Sequence, residues 1–358
     1  MLQLTLHPAL DGDCLVLSWG DGASRNLVVD LGRGATYKSV RTQLRALNSI
    51  DLFVMTHVDA DHIAGAVPMV RENTAPFVPK RVWYNSRPQL EAAKDRQPIH
   101  EPFGARQGEK LARGIVNFQW PWNAEFASEI VSTDSPEAKK PIDLGSGLTV
   151  RLLSPTDEAL VSMLPVWDAE LRKAHIRTFD PDVEDDPLAP HFEPFGGAPN
   201  VSALAAVPFK GDDTEPNATS IAFIAEYSGK RVLLTGDAHS EILEATIQPL
   251  AAAEGGRLRI DLMKVGHHGS KANTSKKLLQ LLDCTRFAFS ANGDRHAHPD
   301  AETIARILVN DPNRPKTLYF NYSTPMTEQW DSKLLRAKWN YETVYPAAAS
   351  NGTLAIAI

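Results

Sequence analysis

The chain has 358 residues, 43% of them hydrophobic and 23% charged, and a formal net charge of -7. This composition excludes a disordered or fibrous chain and supplies one large core or two modest ones, while the acidic balance excludes a body that grips nucleic acid by phosphate neutralisation over its whole surface. The two cysteines, Cys14 and Cys284, form no CxxC pair, so neither a disulfide framework nor a thiolate metal site is expected, and both read as buried small hydrophobes.

The opening MLQLTLHPALDGD has no basic leader and alternates like an edge strand, so no signal peptide is expected. No apolar run approaches the roughly 20 residues that span a bilayer, and the chain is expected to be cytoplasmic, without membrane partners. Strands are predicted at Leu2–Leu6, Cys14–Trp19 and Asn26–Leu31, with GDG at 20–22 as a hairpin turn, followed by a helix at about 38–47. The strand Asp51–Thr56 leads into THVDADHIAG (56–65), a helix at about 62–71 and a strand at Arg81–Asn85.

From 86 to 143 the pattern weakens to one helix at 105–116 and the aromatic segment FQWPWNAEF, before a strand returns at Leu148–Leu153. The stretch 155–217 is rich in Pro, Asp and Glu and reads as an inserted lid or, more plainly, a solvated loop. Regular structure resumes with a hairpin, Ser220–Tyr227 and Arg231–Leu234, and a helix at Glu241–Leu250. The strand Ile260–Val265, the turn GHHGS, a helix at about 274–282 and the strand Phe287–Ser290 come next. The turn NGDRHAHPD, a helix at about 300–308 and strands at Thr317–Phe320 and Thr353–Ile358 finish the chain. Alternating strands and helices favour an α/β fold of two face-to-face sheets with helices outside, here a single domain over 1–358 with insertions at 86–143 and 155–217.

The chemistry gathers where strands end. In THVDADHIAG, His57, Asp59 and Asp61 alternate along an extended segment, and His62 turns toward the same centre as the helix begins. Desolvated together, these carboxylates would cost several kcal/mol, so bound cations are the natural compensation. A polar cap, with Asp59 or Asp61 on the helix terminus, is the plainer alternative. VLLTGDA places Asp237 after a second apolar strand, LMKVGHHGSKANTS places His267 and His268 after a third, and FSANGDRHAHPD places His296 and His298 after a fourth. Taken singly, the Asp237 motif reads as an ordinary turn and either histidine of the last motif as a bland loop residue, whereas two adjacent histidines such as His267 and His268 are seldom both structural. Six of the 11 histidines fall in three such loops, and that concentration favours a metal site.

The ordered set THxDADHxxG, LLTGDA, KVGHHGS and xHP resembles the metallo-β-lactamase superfamily. That resemblance implies an αββα four-layer sandwich with a dinuclear site between the sheets. More narrowly the set is similar to the hydrolase domain of the DNA-uptake channel ComEC, which also carries Asp where most relatives have His. GDCLVLSWGDG…LVVDLG, Asn217 and Ser220 share in this likeness. The resemblance implies His57 and Asp59 on a first metal, Asp61 and His62 on a second, and Asp237 bridging. His268 is the preferred further ligand, with His267 and His298 as candidate ligands or catalytic groups facing substrate. Only His100, His175 and His191 lie where relatives carry another histidine, and none ends a clear strand. The carboxylate at Asp59 hardens the site, widening the expected pair of divalent ions from zinc to manganese or magnesium.

Two such ions would activate a shared water for hydrolysis, with Asp61 orienting it. The ComEC-like motifs imply a phosphodiester substrate, possible nucleic acid included. Ser270 and Lys271, with Lys264, Lys276 and Lys277, are candidate phosphate contacts. Trp120, Trp122 and Phe118 suit either base stacking or the core. A small phosphoester or ester is the alternative substrate. A noncatalytic or partner-activated role in a multiprotein system such as defence, with a protein docking on 155–217, is the other reading.

Overall fold

The computed structural model describes residues 1–21, 24–72, 74–95, 106–176 and 198–358. The first part contributes β1 (Leu2–Leu6), β2 (Leu15–Trp19), β3 (Arg25–Val29), α1 (Gly34–Arg45) and β4 (Ile50–Val54), then α2 (Ala60–Ile63), α3 (Ala66–Val70), β5 (Val82–Trp83), α4 (Arg87–Asp95) and α5 (Arg106–Asn117). The middle adds β6 (Ile142–Gly145), β7 (Leu148–Ser154), α6 (Asp157–Ile176), α7 (Val201–Ala206), α8 (Glu215–Ala218), β8 (Ala222–Tyr227) and β9 (Lys230–Leu234). The last part runs α9 (Ser240–Ala253), β10 (Leu258–Arg259), β11 (Leu262–Lys264), α10 (Lys276–Gln280), β12 (Leu282–Asp283), β13 (Arg286–Phe289), α11 (Ala301–Val309) and β14 (Lys316–Phe320). It ends with α12 (Pro325–Glu328), α13 (Lys333–Trp339), β15 (Tyr341–Val344) and β16 (Leu354–Ala357).

Two sheets carry the fold, one in the order β16-β1-β2-β3-β4-β5 and one in the order β15-β14-β13-β11-β9-β8-β7-β6. Strand alternation sorts the side chains into layers. On β2, Leu15, Leu17 and Trp19 enter the core between the sheets, whereas Val16 joins Tyr37, Val40 and Leu44 of α1. On β9, Val232 and Leu234 face inward while Leu233 packs with Leu243 and Ile247 of α9. Three apolar layers therefore separate four structural ones, and the αββα sandwich is the observed architecture.

Several expectations change. Leu2–Leu6 is not an edge strand, because β16 and β2 pair it on both sides. The helix expected at 62–71 splits into α2 and α3 around Gly65, whose N–H donates to Gly32 O at 2.7 Å and where a Cβ would come within 2.2 Å of Leu31 O. The stretch 155–217 is no single lid or loop: α6 buries Leu160, Met163, Leu164 and Trp167 in the core beneath the first sheet. The acidic run 180–197 lies outside the described residues. For the aromatic segment the core reading holds. Trp120 is buried and stacks on Phe77 at 5.5 Å, with Phe118 beside it, and Trp122 stacks on Tyr84 and donates its Nε1–H to Tyr84 O. Both cysteines are free and buried, as their sequence context suggests.

Candidate metal centre

Parallel pairing of β9, β11 and β13 sends the chain out of all three strands at one edge of the second sheet. The Asp237, His267/His268 and His298 loops therefore leave side by side. The Ile221 N–H donates to Thr56 O at 3.0 Å, which brings the end of β4 in the other sheet to the same place. Gly236 is needed for this junction. Its φ is +49°, and a Cβ there would stand 2.3 Å from Ser220 Oγ, the atom that accepts the Asp237 N–H. The His267 N–H in turn donates to Gly236 O at 3.0 Å, tying two motif loops together.

Four imidazoles surround one carboxylate. Asp237 Oδ2 lies 3.3 Å from His62 Nε2, 3.6 Å from His268 Nε2, 3.7 Å from His267 Nε2 and 3.9 Å from His57 Nε2. Each ring is held from behind through Nδ1. His57 Nδ1 lies 3.0 Å from Thr56 Oγ1, and His62 Nδ1 lies 2.7 Å from Asp30 Oδ2. His268 Nδ1 lies 3.0 Å from Ser290 O, and His267 Nδ1 lies 2.9 Å from Asn273 Oδ1. With acceptors at Nδ1, the neutral rings of His62 and His268 carry their protons there and turn bare Nε2 lone pairs inward. Those two Nε2 atoms stand only 3.2 Å apart.

At that distance the two nitrogens need a positive charge between them, either a proton shared as an N–H···N bond or a bound cation. Two nitrogens each about 2.1 Å from one ion stand roughly 3.0–3.4 Å apart, so the spacing suits a shared cation. Two further buried atoms, His57 Nε2 and Asp237 Oδ1, have no hydrogen-bond partner among the described residues. Both are good metal donors. The closest donor groups are His57, His62 and Asp237, and then Asp61, His62 and His268. A third grouping, Asp13, Asp30 and His62, supports the others from behind, since Asp30 is committed to His62 and Thr56, and Asp13 to Lys264.

The local field favours cations. Burial pushes the His62 pKa down, but the carboxylates of Asp237, Asp30 and Asp61 outweigh it and hold the ring well above its usual value. Burial raises the Asp237 carboxyl, yet His62, His267 and His268 hold it well below the carboxylate range. Asp61 is also depressed, by His62 and His268 against the effect of burial. For His267, burial is overcome by Asp237 and Asp212, and its pKa stands at about 9.

The helix-cap alternative does not account for the motif, because Asp59 makes no side-chain cap bond to α2. Its Oδ2 lies 3.6 Å from His57 Nε2, at the exposed side of the cluster. His298 lies farther out, its ring 5.5 Å from that of His267 and its Nδ1 3.7 Å from Asp300 Oδ1, while His296 is exposed. Ser270 is buried with its Oγ accepting the Ala272 N–H, and the Lys271 ammonium turns to Glu302, so neither contributes a contact to the cluster. Lys264 is not a phosphate contact. It is fully buried, with Nζ 2.6 Å from Asp13 Oδ2. Lys277 pairs with Glu244. His100 and His191 lie outside the described residues, and His175 falls in the last turn of α6.

Residues that the motif reading did not assign complete the cluster. Asp30 accepts from Thr56 N, Thr56 Oγ1 and His62 Nδ1, and Asp212 lies 3.4 Å from His267 Nδ1 while accepting from Asn217 and Asn273. Asp30 carried a visible signal, a strand end inside LVVDLG. Asp212 had none.

No family model matches the chain. Over 119 residues, 31% of this chain, it is 28% identical to ComE operon protein 3 of Bacillus subtilis (strain 168). The match spans 14% of that protein's length. Among solved structures, the metallo-beta-lactamase fold protein YhfI from Bacillus subtilis aligns over 100% of both chains with 8% identity and a TM-score of 0.36. Zn(2+)-bound PqqB from Methylobacterium extorquens aligns over 99% of this chain and 100% of its own, with 12% identity and a TM-score of 0.39. The long form RNase Z from yeast aligns over 96% of this chain and 47% of its own, with 9% identity and a TM-score of 0.37. These likenesses are too distant to bear on activity.

Proposed function

We propose that the protein is a metal-dependent hydrolase of the metallo-β-lactamase type, acting on phosphodiesters as a nuclease. The observation that carries this reading is the 3.2 Å approach of His62 Nε2 to His268 Nε2 beside the partnerless atoms His57 Nε2 and Asp237 Oδ1. His57, Asp59 and Asp237 would hold one divalent ion, and Asp61, His62, His268 and Asp237 a second. Such ions supply Lewis acidity and lower the pKa of a bound water.

The remaining steps belong to side chains. Asp61, beside His268 at 3.3 Å, would orient water entering the cluster. His267, steadied by Asn273 and Asp212, would turn its ring toward oxygens on which charge develops, and His298 stands beyond it on the exposed side. The phosphodiester class rests on the ComEC-like motifs, and manganese or magnesium on the carboxylate-rich donor set.

The test combines metal analysis with cleavage assays on single- and double-stranded DNA and RNA in manganese, magnesium or zinc. Cleavage that Asp61→Ala and Asp237→Ala abolish is expected. Loaded protein that leaves all four nucleic acids intact while cutting small chromogenic diesters would move the substrate to small molecules. Protein that retains no metal would end the proposal.

A further inference from the structure

On the helical side of the second sheet, α9, α10, α11 and the residues Val207–Phe209 line an open cavity of about 350 Å³. That volume lies at the small end of the range for small-molecule sites. One wall is the apolar run Val207, Pro208 and Phe209. Another is Arg306, which is 1% exposed and whose guanidinium carbon sits 5.3 Å from the centre of the Phe209 ring. Arg306 Nη1 donates to Lys271 O at 2.6 Å and Thr274 O at 3.2 Å, but its buried Nε–H meets no acceptor among the described residues. A buried cationic donor without an acceptor marks a place for an anion.

The charges around it agree. Lys277 pairs with Glu244, which also accepts the Ser275 hydroxyl, so those groups satisfy one another. Lys276 and Glu241 line the cavity as well, and with Arg306 they leave one cation in excess. The two walls also support His267. Arg306 holds the carbonyls of the turn that follows GHHGS, and three residues beyond Phe209 comes Asp212, whose N–H donates to Ala272 O and whose carboxylate faces His267 Nδ1.

We propose that this cavity is a regulatory site for a small organic anion, a carboxylate on a flat apolar body, whose binding to Arg306 and Phe209 is transmitted to His267. Binding can be read without any hydrolase activity, so its failure is distinguishable from failure of the proposed function. The full-length, nitrogen-15-labelled protein is titrated with benzoate at constant ionic strength, with benzamidine as the control of equal shape and opposite charge. Saturating shifts at the Arg306 side chain and the His267 ring are expected, with a Kd of about 1–10 mM. Phe209→Ala and Lys276→Glu, which leave the buried arginine in place, should each weaken binding by about fivefold or more. No saturation up to about 50 mM benzoate, equal binding of benzamidine, unchanged affinity in both variants, or Arg306 shifts with an unmoved His267 ring would each overturn the proposal.

Discussion

The Asp30 carboxylate lies 2.7 Å from His62 Nδ1, so a residue at the end of β3 determines which nitrogen of His62 faces Asp237. Asp30 is fully buried and accepts two further bonds from Thr56, which fixes its rotamer and, through it, the imidazole plane. In Asp30→Asn the amide NH2 would face donors and the charge that steadies the ring would be lost. Divalent-ion affinity should fall by about 10–100-fold with the circular dichroism spectrum unchanged. Calorimetric titration showing wild-type affinity in this variant would remove Asp30 from the site.

The Lys264–Asp13 pair lies directly behind His268, with Asp13 Oδ1 3.7 Å from His268 Nδ1. Burial raises the Asp13 carboxyl, but Lys264, His268 and His62 more than reverse that and keep it ionised. Lys264→Met leaves this charge without its main partner and should cost about 3–5 kcal/mol in urea denaturation with chelator present. Lys264→Met combined with Asp13→Leu should recover much of the loss. A single variant as stable as wild type would show that the pair contributes nothing.

How much of this was legible in the chain differs from residue to residue. His57, Asp59, Asp61 and His62 are neighbours in sequence, so one strand end declared them together. Asp30 and His62 are 32 residues apart, and Lys264 and Asp13 are 251 apart, so those contacts exist only after the sheets have packed. Lys264 looked like a surface cation beside GHHGS, yet alternation placed it. It lies two residues after Leu262, which faces the core between the sheets, so its side chain leaves β11 toward the interior as well. In α6 the spacing of Leu160, Met163, Leu164 and Trp167 is helical, but Pro165 inside the run and the acidic stretch beyond it disguised a core helix as a loop.

Gly236→Ala tests whether close backbone approach sets the cluster. The left-handed φ of +49° and the 2.3 Å approach of a Cβ to Ser220 Oγ each oppose a side chain. A cost of about 1–3 kcal/mol is expected from these combined effects, together with weaker metal binding as Asp237 shifts. Adding Ser220→Ala relieves the clash but removes the acceptor of the Asp237 N–H, so stability should recover more than metal affinity does. Equal recovery of both, by denaturation and calorimetry, would mean that Ser220 does not position Asp237.

His7 supplies a pH test away from the metal centre. It is buried, its Nδ1 has no hydrogen-bond partner among the described residues, and burial pushes its pKa down to about 4. The unfolded chain therefore takes up a proton at about pH 6.5 that the folded protein refuses until about pH 4. The resulting stability is present above pH 6.5 and is lost as pH falls through that window, amounting to about 3 kcal/mol when complete. His7→Leu removes the titrating group and fills similar space. With chelator present, the stability difference between wild type and His7→Leu should shift in favour of the variant between pH 7 and pH 4, because carboxylate effects common to both proteins cancel. A difference that stays constant across that range would show that His7 accepts its proton as readily in the fold as in the open chain.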